Sequence, residues 1–523
     1  MNPPPRRPSQ ALSPSNGLCG LLTAAVFLLV GGLLFLSAMD RDLNHDEHQF
    51  IAPGVLISRE GLLPYRDFPM FHLPNLAFIY AGLDRLTHQP VWSAKVLNAL
   101  ASTAAVALIF LAGTTRRSPV PFGARHYGYA LAAGALLLTD QLFTFTAGKT
   151  WNHEFPGFLL VAAILAHVRG VETGRWSWAA VSGFCVGAAI GTRLTYAPVA
   201  MAFPGLLLLA PLPRRDRLIA LAAWSGACLV ALTPSIYFLC ADHERFLFDN
   251  LQFPRLRLLD LADTRAHKTM NPLRKLRFLF KEVLAHSLPL TLAFIAASIE
   301  PVRRWLKRQN AENYGFTVCA GVLPLAVLGC FLPSRYQYQH YFVVAPLMAL
   351  GMAYALRGWQ PARWYGPAAI LGAVMFGLSP LNFNSQKRSG GIPAYKPVPA
   401  MLDSGKWFTT RLRADYEFVR VAKGSILTLA PIGVLEAGGR IYPEFATGPF
   451  AWRTAHLLAA EKRGRAGLIA PEDLEQFLRT RPPGGILTGV EDEELEKDFI
   501  TYAQAHAFHA VPSGKRRTLW LPD

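Results

Sequence analysis

The residues best suited to chemistry fall in one short stretch: Asp40, Asp42, His45, Asp46, Glu47 and His48. Adjacent carboxylates flanked by imidazoles suit a general base, which takes a proton while a nucleophile attacks. They also suit a metal, which needs ligands converging on one point. His45 and His48 are three residues apart, so a helical turn would put both on one side. No other ligand pair is placed by spacing, so a divalent metal is not indicated and no cofactor is required. A solvated helix start capped by Asn44 or Asp46 explains one acid but not the group.

A second set of ionisable residues recurs where apolar runs end: Arg66, His72, Lys149, His153, Glu154, Arg193, Arg335 and His340. Ionisable groups beside membrane helices are costly and mark function. Arginine is the natural forked partner of phosphate, and lysine a point charge for it. Arg193 can instead snorkel from a helix end. Lys149 and Arg335 leave apolar runs directly. Tyr336, Tyr338, Tyr341 and Phe342 suit stacking on a sugar or prenyl chain, and equally an interfacial aromatic belt.

The elements that must hold these residues are set by composition. The chain has 523 residues, 52% hydrophobic and 17% charged, against about 25% charged in soluble domains. Apolar runs such as 17–39 and 93–113 match a bilayer's thickness, and in lipid they must be helices. Hydropathy gives about eleven spans, near 17–39, 92–113, 127–146, 155–169, 177–193, 195–211, 218–240, 286–299, 315–332, 341–356 and 365–381. The first run follows Arg6 and Arg7 but is too long for a signal peptide and lacks a cleavage site. The net charge of +17 sits in alternate loops, at Arg116-Arg117, Arg169, Arg175, Arg214-Arg215, Arg303-Arg304 and Arg357. That is the positive-inside pattern, not a nucleic-acid surface. It predicts a multi-pass protein of a cell (inner or plasma) membrane, with a cytoplasmic N-terminus and an extracytoplasmic C-terminus. The six cysteines lie in or beside apolar runs with no metal-type spacing.

Two outer loops are long. Residues 40–91 are aromatic and amphipathic, suggesting helices lying at the interface, and 241–285 carries Arg274, Lys275, Arg277 and Lys281 among apolar residues, suited to headgroups. The expected organisation is a bundle at 1–381, a Gly/Pro linker at 382–400 and a small soluble α/β domain at 401–523. In that last part strands are predicted at 425–430, 485–488 and 518–521, and helices at 451–463, 471–480 and 493–506.

The run HDEHQFIAPGVLISREGLLPYRDF after the first span resembles the first outer loop of the GT-C membrane glycosyltransferases. It is most similar to the bacterial branch akin to protein O-mannosyltransferases and the aminoarabinose transferase of lipid A (glycosyltransferase family 39-type). Trp151-Asn152-His153-Glu154, GFCVGAAIGTRLTYAPVA and SRYQYQHYFVVAPLMAL resemble further family segments. The family's H-P-P-L stands here as His72-Leu73-Pro74-Asn75, and Met70 replaces a frequent acid.

The resemblance implies a GT-C fold and transfer of a hexose or pentose from a polyprenyl phosphate to an acceptor hydroxyl at the outer membrane face, with inversion. The acceptor is a glycolipid, polysaccharide or protein. It aligns Asp46 with the family's catalytic Asp, with Glu47 orienting it or the acceptor. Arg66, His72, Lys149, His153, Glu154, Arg193, Arg335 and His340 are then donor-phosphate and substrate candidates. The competing reading is a transporter or flippase of lipid-linked sugar. Transporters carry matching repeats and broken midplane helices; here no halves match and the ionisable residues gather at one face.

Overall fold

The computed structural model describes residues 14–114, 124–256, 271–307, 313–333, 337–357, 365–377, 401–513 and 516–523. Five helices are long and apolar enough to cross a membrane: Gly20–Asp40, Pro90–Thr114, Glu154–Thr173, Tyr314–Phe331 and Tyr338–Arg357. Two bent pairs raise the number to seven if each is one span: Arg214–Ala231 with Thr233–Ala241, bent by 59°, and Pro272–Leu284 with Leu288–Leu306, bent by 95°. Among the described residues the other expected spans are shorter helices.

The differences have local causes. Asp140 accepts from the backbone N–H groups of Leu142 and Phe143 at 2.9 and 3.1 Å, starting a new helix inside the run expected at 127–146. The run expected at 195–211 opens as a 3-10 turn over Leu194–Met201, with Pro198 inside it, before Ala202–Leu208. Proline has no N–H to give and clashes with the preceding turn, so a regular helix cannot run through.

Burial sorts centre from edge. The most apolar stretch of Gly20–Asp40 is 17% buried, whereas that of Tyr338–Arg357 is 89% buried. The first helix therefore faces outward and the last-named is packed on all sides. Small residues let neighbours close up. Gly183 and Gly187, four apart on helix Trp176–Thr192, lie against the carbonyls of Trp224 and Cys228 on Arg214–Ala231, with no room for a Cβ.

In the loop after the first helix the aromatic residues Phe50, Tyr65, Phe68, Phe71 and Tyr80 are buried. All eight residues of helix His48–Val55 are buried. They lie between the bundle and the C-terminal part of the chain. Arg59 makes a forked pair with buried Asp84 at 2.8 and 3.0 Å, and a third bond at 2.8 Å to the carbonyl of Leu435. The second long loop is helical at His243–Leu247 and at Pro272–Phe278, which continues as a π-helix over Leu279–Leu284; Leu273, Leu276 and Phe280 are exposed. The expected linker lies outside the described residues.

Residues 401–523 contain a five-stranded sheet in the order β2-β1-β3-β5-β4. The strands are β1 (Ser425–Leu427), β2 (Arg440–Ile441), β3 (Gly485–Thr488), β4 (His509–Ser513) and β5 (Arg517–Leu521). β1 is parallel to β2 and β3; β5 runs antiparallel to β3 and β4. β3 and β5 lie at 485–488 and 517–521, near the predicted segments, and β1 ends at Leu427. The helix expected at 451–463 is two, Pro449–Ala455 and Ala460–Ala466.

Leucine at Gly183 or Gly187 would force two helices apart, at a cost of about 1–3 kcal/mol or more for overpacking. The expected outcome is a lower thermal unfolding midpoint in detergent for either variant. Midpoints equal to wild type would show that this close approach does not hold the helices.

Candidate active site

Two buried cations shape the end of the bundle where the predicted residues meet. The Lys95 ammonium donates to the carbonyls of Ala38 and Arg41 at 2.8 and 2.6 Å, closing the first helix. The Arg41 guanidinium reaches the carbonyls of Thr144, Phe145 and Ala147. Carbonyls at a helix end have no partner within the helix and take a cation well. Neither residue was singled out from the sequence, because a basic residue next to a span reads as a topology signal.

Past Arg41 the chain makes a capped turn. The Glu47 carboxylate accepts from the Asn44 N–H at 2.7 Å, and from the Thr150 N–H and hydroxyl at 2.7 and 2.8 Å. Asn44 accepts from the Asp46 N–H at 3.1 Å and the Trp151 indole at 3.2 Å. Glu47 is fully buried. Its acceptor sites are taken by the fold, so it holds residues 44–47 against 147–151. Asp46 differs: no hydrogen bond reaches its carboxylate among the described residues, and its neighbour is His45 at 3.6 Å. Side-chain exposure is 22% for Asp46 and 46% for His45.

Lys149 lies over the rings of Phe145 and Trp151 at 4.3 and 4.0 Å. Burial, with Arg41 nearby, lowers its amine to about 8 against the pull of Glu47, Asp46 and Glu154. Beside it Asn152 joins two other candidates. Its oxygen accepts from Arg193 at 2.6 Å, and its amide approaches His72 Nδ1 at 3.4 Å. His72 Nε2 meets Gln49 Oε1 at 2.9 Å, which assigns the proton to Nε2. Arg193 also reaches His153 Nε2 at 3.2 Å and Thr195 at 2.9 Å. The His153 and His340 rings are 6.1 Å apart. Burial first, then Arg193, His340, His72 and Lys149, hold His153 well below the usual histidine range. It is neutral at physiological pH.

The structure thus brings together Asp46, Glu47, His72, Lys149, His153, Arg193 and His340. Glu154 is buried behind them, accepting from the Gly148 N–H at 2.7 Å. Arg66 stands apart: 62% exposed, it is paired with Asp67 at 2.7 Å. Its motif, Pro64-Tyr65-Arg66-Asp67-Phe68, is a turn. Asp67 accepts from the Leu63 N–H at 2.7 Å, and Tyr65, at φ 63°, sends its hydroxyl to the His72 carbonyl at 2.5 Å. Arg335 lies outside the described residues. Among those described, no three His, Cys, Asp or Glu side chains gather in a metal-holding group, and His48 is buried. Gln49 and Asn152 were missed as site residues, since neutral amides carry no signal of their own.

Comparison with known proteins fits this geometry. Residues 71–238 match the family described as dolichyl-phosphate-mannose-protein mannosyltransferase. No curated protein sequence matches the chain significantly. The structure of ArnT from Cupriavidus metallidurans bound to undecaprenyl phosphate superposes with a TM-score of 0.59 and 14% identity, covering 96% of this chain and 97% of that one. Its apo state gives 0.58 and 14%, over 97% and 98%. At that identity the likeness is one of fold. The chain thus shares its fold end to end with the ArnT structures, and residues 71–238 carry the sequence pattern of the mannosyltransferase family.

Proposed function

We propose that the chain moves a sugar from a polyprenyl-phosphate donor to an acceptor hydroxyl at the outer face of a cell membrane. The observation that carries this reading is the pairing of a free carboxylate, Asp46, with a cationic and imidazole cluster at one end of the bundle. The likeness to a structure holding undecaprenyl phosphate supports the donor class. In this reading residues 1–381 form the catalytic bundle and 401–523 an extracytoplasmic domain.

The reaction needs two opposed devices. The acceptor oxygen attacks the anomeric carbon as the bond to the phosphate oxygen breaks, and that electron pair stays on the phosphate. The proton lost by the hydroxyl goes to Asp46. A carboxylate is a weak base at rest, but the hydroxyl acidifies as its bond to carbon forms. Attack opposite the leaving phosphate inverts the centre through an oxocarbenium-like state, as in glycoside hydrolysis. Lys149 and Arg193 offer the leaving phosphate fixed charge, His153 and His340 lie beside them, and His72 holds Asn152 in place. Glu47 acts through Asp46 by fixing the turn.

Asp46→Asn is expected to cut transfer from an undecaprenyl-phosphate sugar by about 100-fold or more, with expression unchanged. Membranes given a panel of radiolabelled donors would measure it. Transfer at the wild-type rate would remove Asp46 as the base, and tracer uptake into vesicles without transfer would favour a flippase. Lys149 is charged below its value of about 8 and neutral above it. Undecaprenyl phosphate binding should therefore weaken as pH rises from 7 to 9, and Lys149→Arg should flatten that dependence. An unchanged slope in the variant would exclude Lys149 from phosphate binding.

A further inference from the structure

The bundle is not alone in facing the segment that carries Asp46. The C-terminal sheet domain faces it too. Gly448, at φ +63°, packs on His48; a Cβ there would come 3.2 Å from the His48 Cβ and 2.9 Å from the Leu429 carbonyl. Two residues later the Phe450 ring lies 5.8 Å from the His45 ring. Arg453 follows Phe450 by three residues on helix Pro449–Ala455, so both share the face turned toward His45 and Asp46.

A second element meets the same seam. The Glu496 carboxylate accepts from the backbone N–H groups of Gly489, Glu491 and Val490 at 2.5, 3.1 and 3.4 Å. Gly489 has φ +83°, which glycine adopts freely. The loop is thereby fixed while the Glu491 side chain stays unused. Burial first pushes the Glu491 carboxyl up to about 7; Arg453 draws it down, and Glu496, Asp492 and Asp46 push it up. Arg453 and Asp46 are therefore both within electrostatic reach of Glu491.

The two loops are built alike. In each, one glutamate, Glu47 or Glu496, is taken up by backbone N–H groups and holds a neighbouring acid, Asp46 or Glu491, at the seam. The side chains of Asp46, Glu491 and Arg453 make no hydrogen bond among the described residues, although all three are half-buried. Buried His48 Nδ1, at the same seam, also has no partner. Half-buried charged groups with no protein partner keep their polar atoms available to a ligand that displaces water.

Resting on the reading of Asp46 as the base, we propose that Arg453 and Glu491 are positioning residues for the acceptor, a polyol presenting neighbouring hydroxyls at the seam. The guanidinium donates to one hydroxyl oxygen and the carboxylate accepts from another. Together they deliver a third group, the reacting hydroxyl, to Asp46. The donor phosphate binds on the Lys149–Arg193 side, away from both.

The test uses the full-length protein and a donor that wild-type membranes consume. Arg453→Gln and Glu491→Gln should each lower transfer to membrane acceptors by about tenfold or more. Undecaprenyl phosphate binding to the purified variants should stay within about twofold of wild type, as should release of sugar to water. Arg453→Lys and Glu491→Asp should recover part of the transfer. Undiminished transfer, or loss of undecaprenyl phosphate binding in step with transfer, would overturn the proposal. Wild-type protein that neither binds undecaprenyl phosphate nor transfers sugar would remove the underlying reading instead.

Discussion

The site depends on how helix-end carbonyls are satisfied at the edge of an apolar layer. Lys95 closes the first helix by donating to the carbonyls of Ala38 and Arg41, and the Arg41 side chain donates in turn to three carbonyls of residues 144–147. A charged donor on a carbonyl is a strong hydrogen bond, and stronger where water is scarce. Three separate segments are tied through these two cations. Lys275 repeats the device on the carbonyls of Phe331 and Pro333 at 2.7 and 2.6 Å. Without such donors a lipid-level chain reversal would leave bare carbonyls, which hydrocarbon does not tolerate.

That framework separates ionisable groups into two kinds. Glu47, Asp84 and Glu496 have acceptor sites filled by backbone N–H groups, hydroxyls or arginine. They fix loops and are poor candidates to exchange protons. The charged atoms of Asp46, Lys149 and Glu491 make no hydrogen bond among the described residues, as their proposed roles require. Preorganisation of this sort matters for transfer chemistry, because groups already in position need not reorganise as charge develops. The adjacent pair Asp46-Glu47 shows both kinds side by side.

Much of this was legible in the sequence, for identifiable reasons. Apolar length gave the helical bundle, and the alternation of short strands and helices gave the C-terminal sheet. Residues of the dense Asp/His stretch at 40–48 and most of those named at apolar run ends lie near one another at one end of the bundle. What could not be read was partnership. Nothing in the residue types says that Glu47 is filled by Thr150, that Arg66 is taken by Asp67, or that Asn152 bridges Arg193 and His72. Eleven spans are not confirmed among the described residues, where five to seven helices are long and apolar enough; hydropathy does not see the break that Asp140 makes or the 3-10 turn around Pro198. Strand β2, two residues long, carries too little pattern to find.

The bond from Arg59 to the Leu435 carbonyl joins residues 376 positions apart. A chain made from its N-terminus outward forms domains in that order. Helix His48–Val55, buried on all eight residues, packs on its neighbours in the bundle first and gains the rest of its cover once the sheet domain has been synthesised and folded. Until then part of this apolar loop is exposed. A nascent chain stalled before residues 401–523 would lack the part of this cover that the sheet domain supplies.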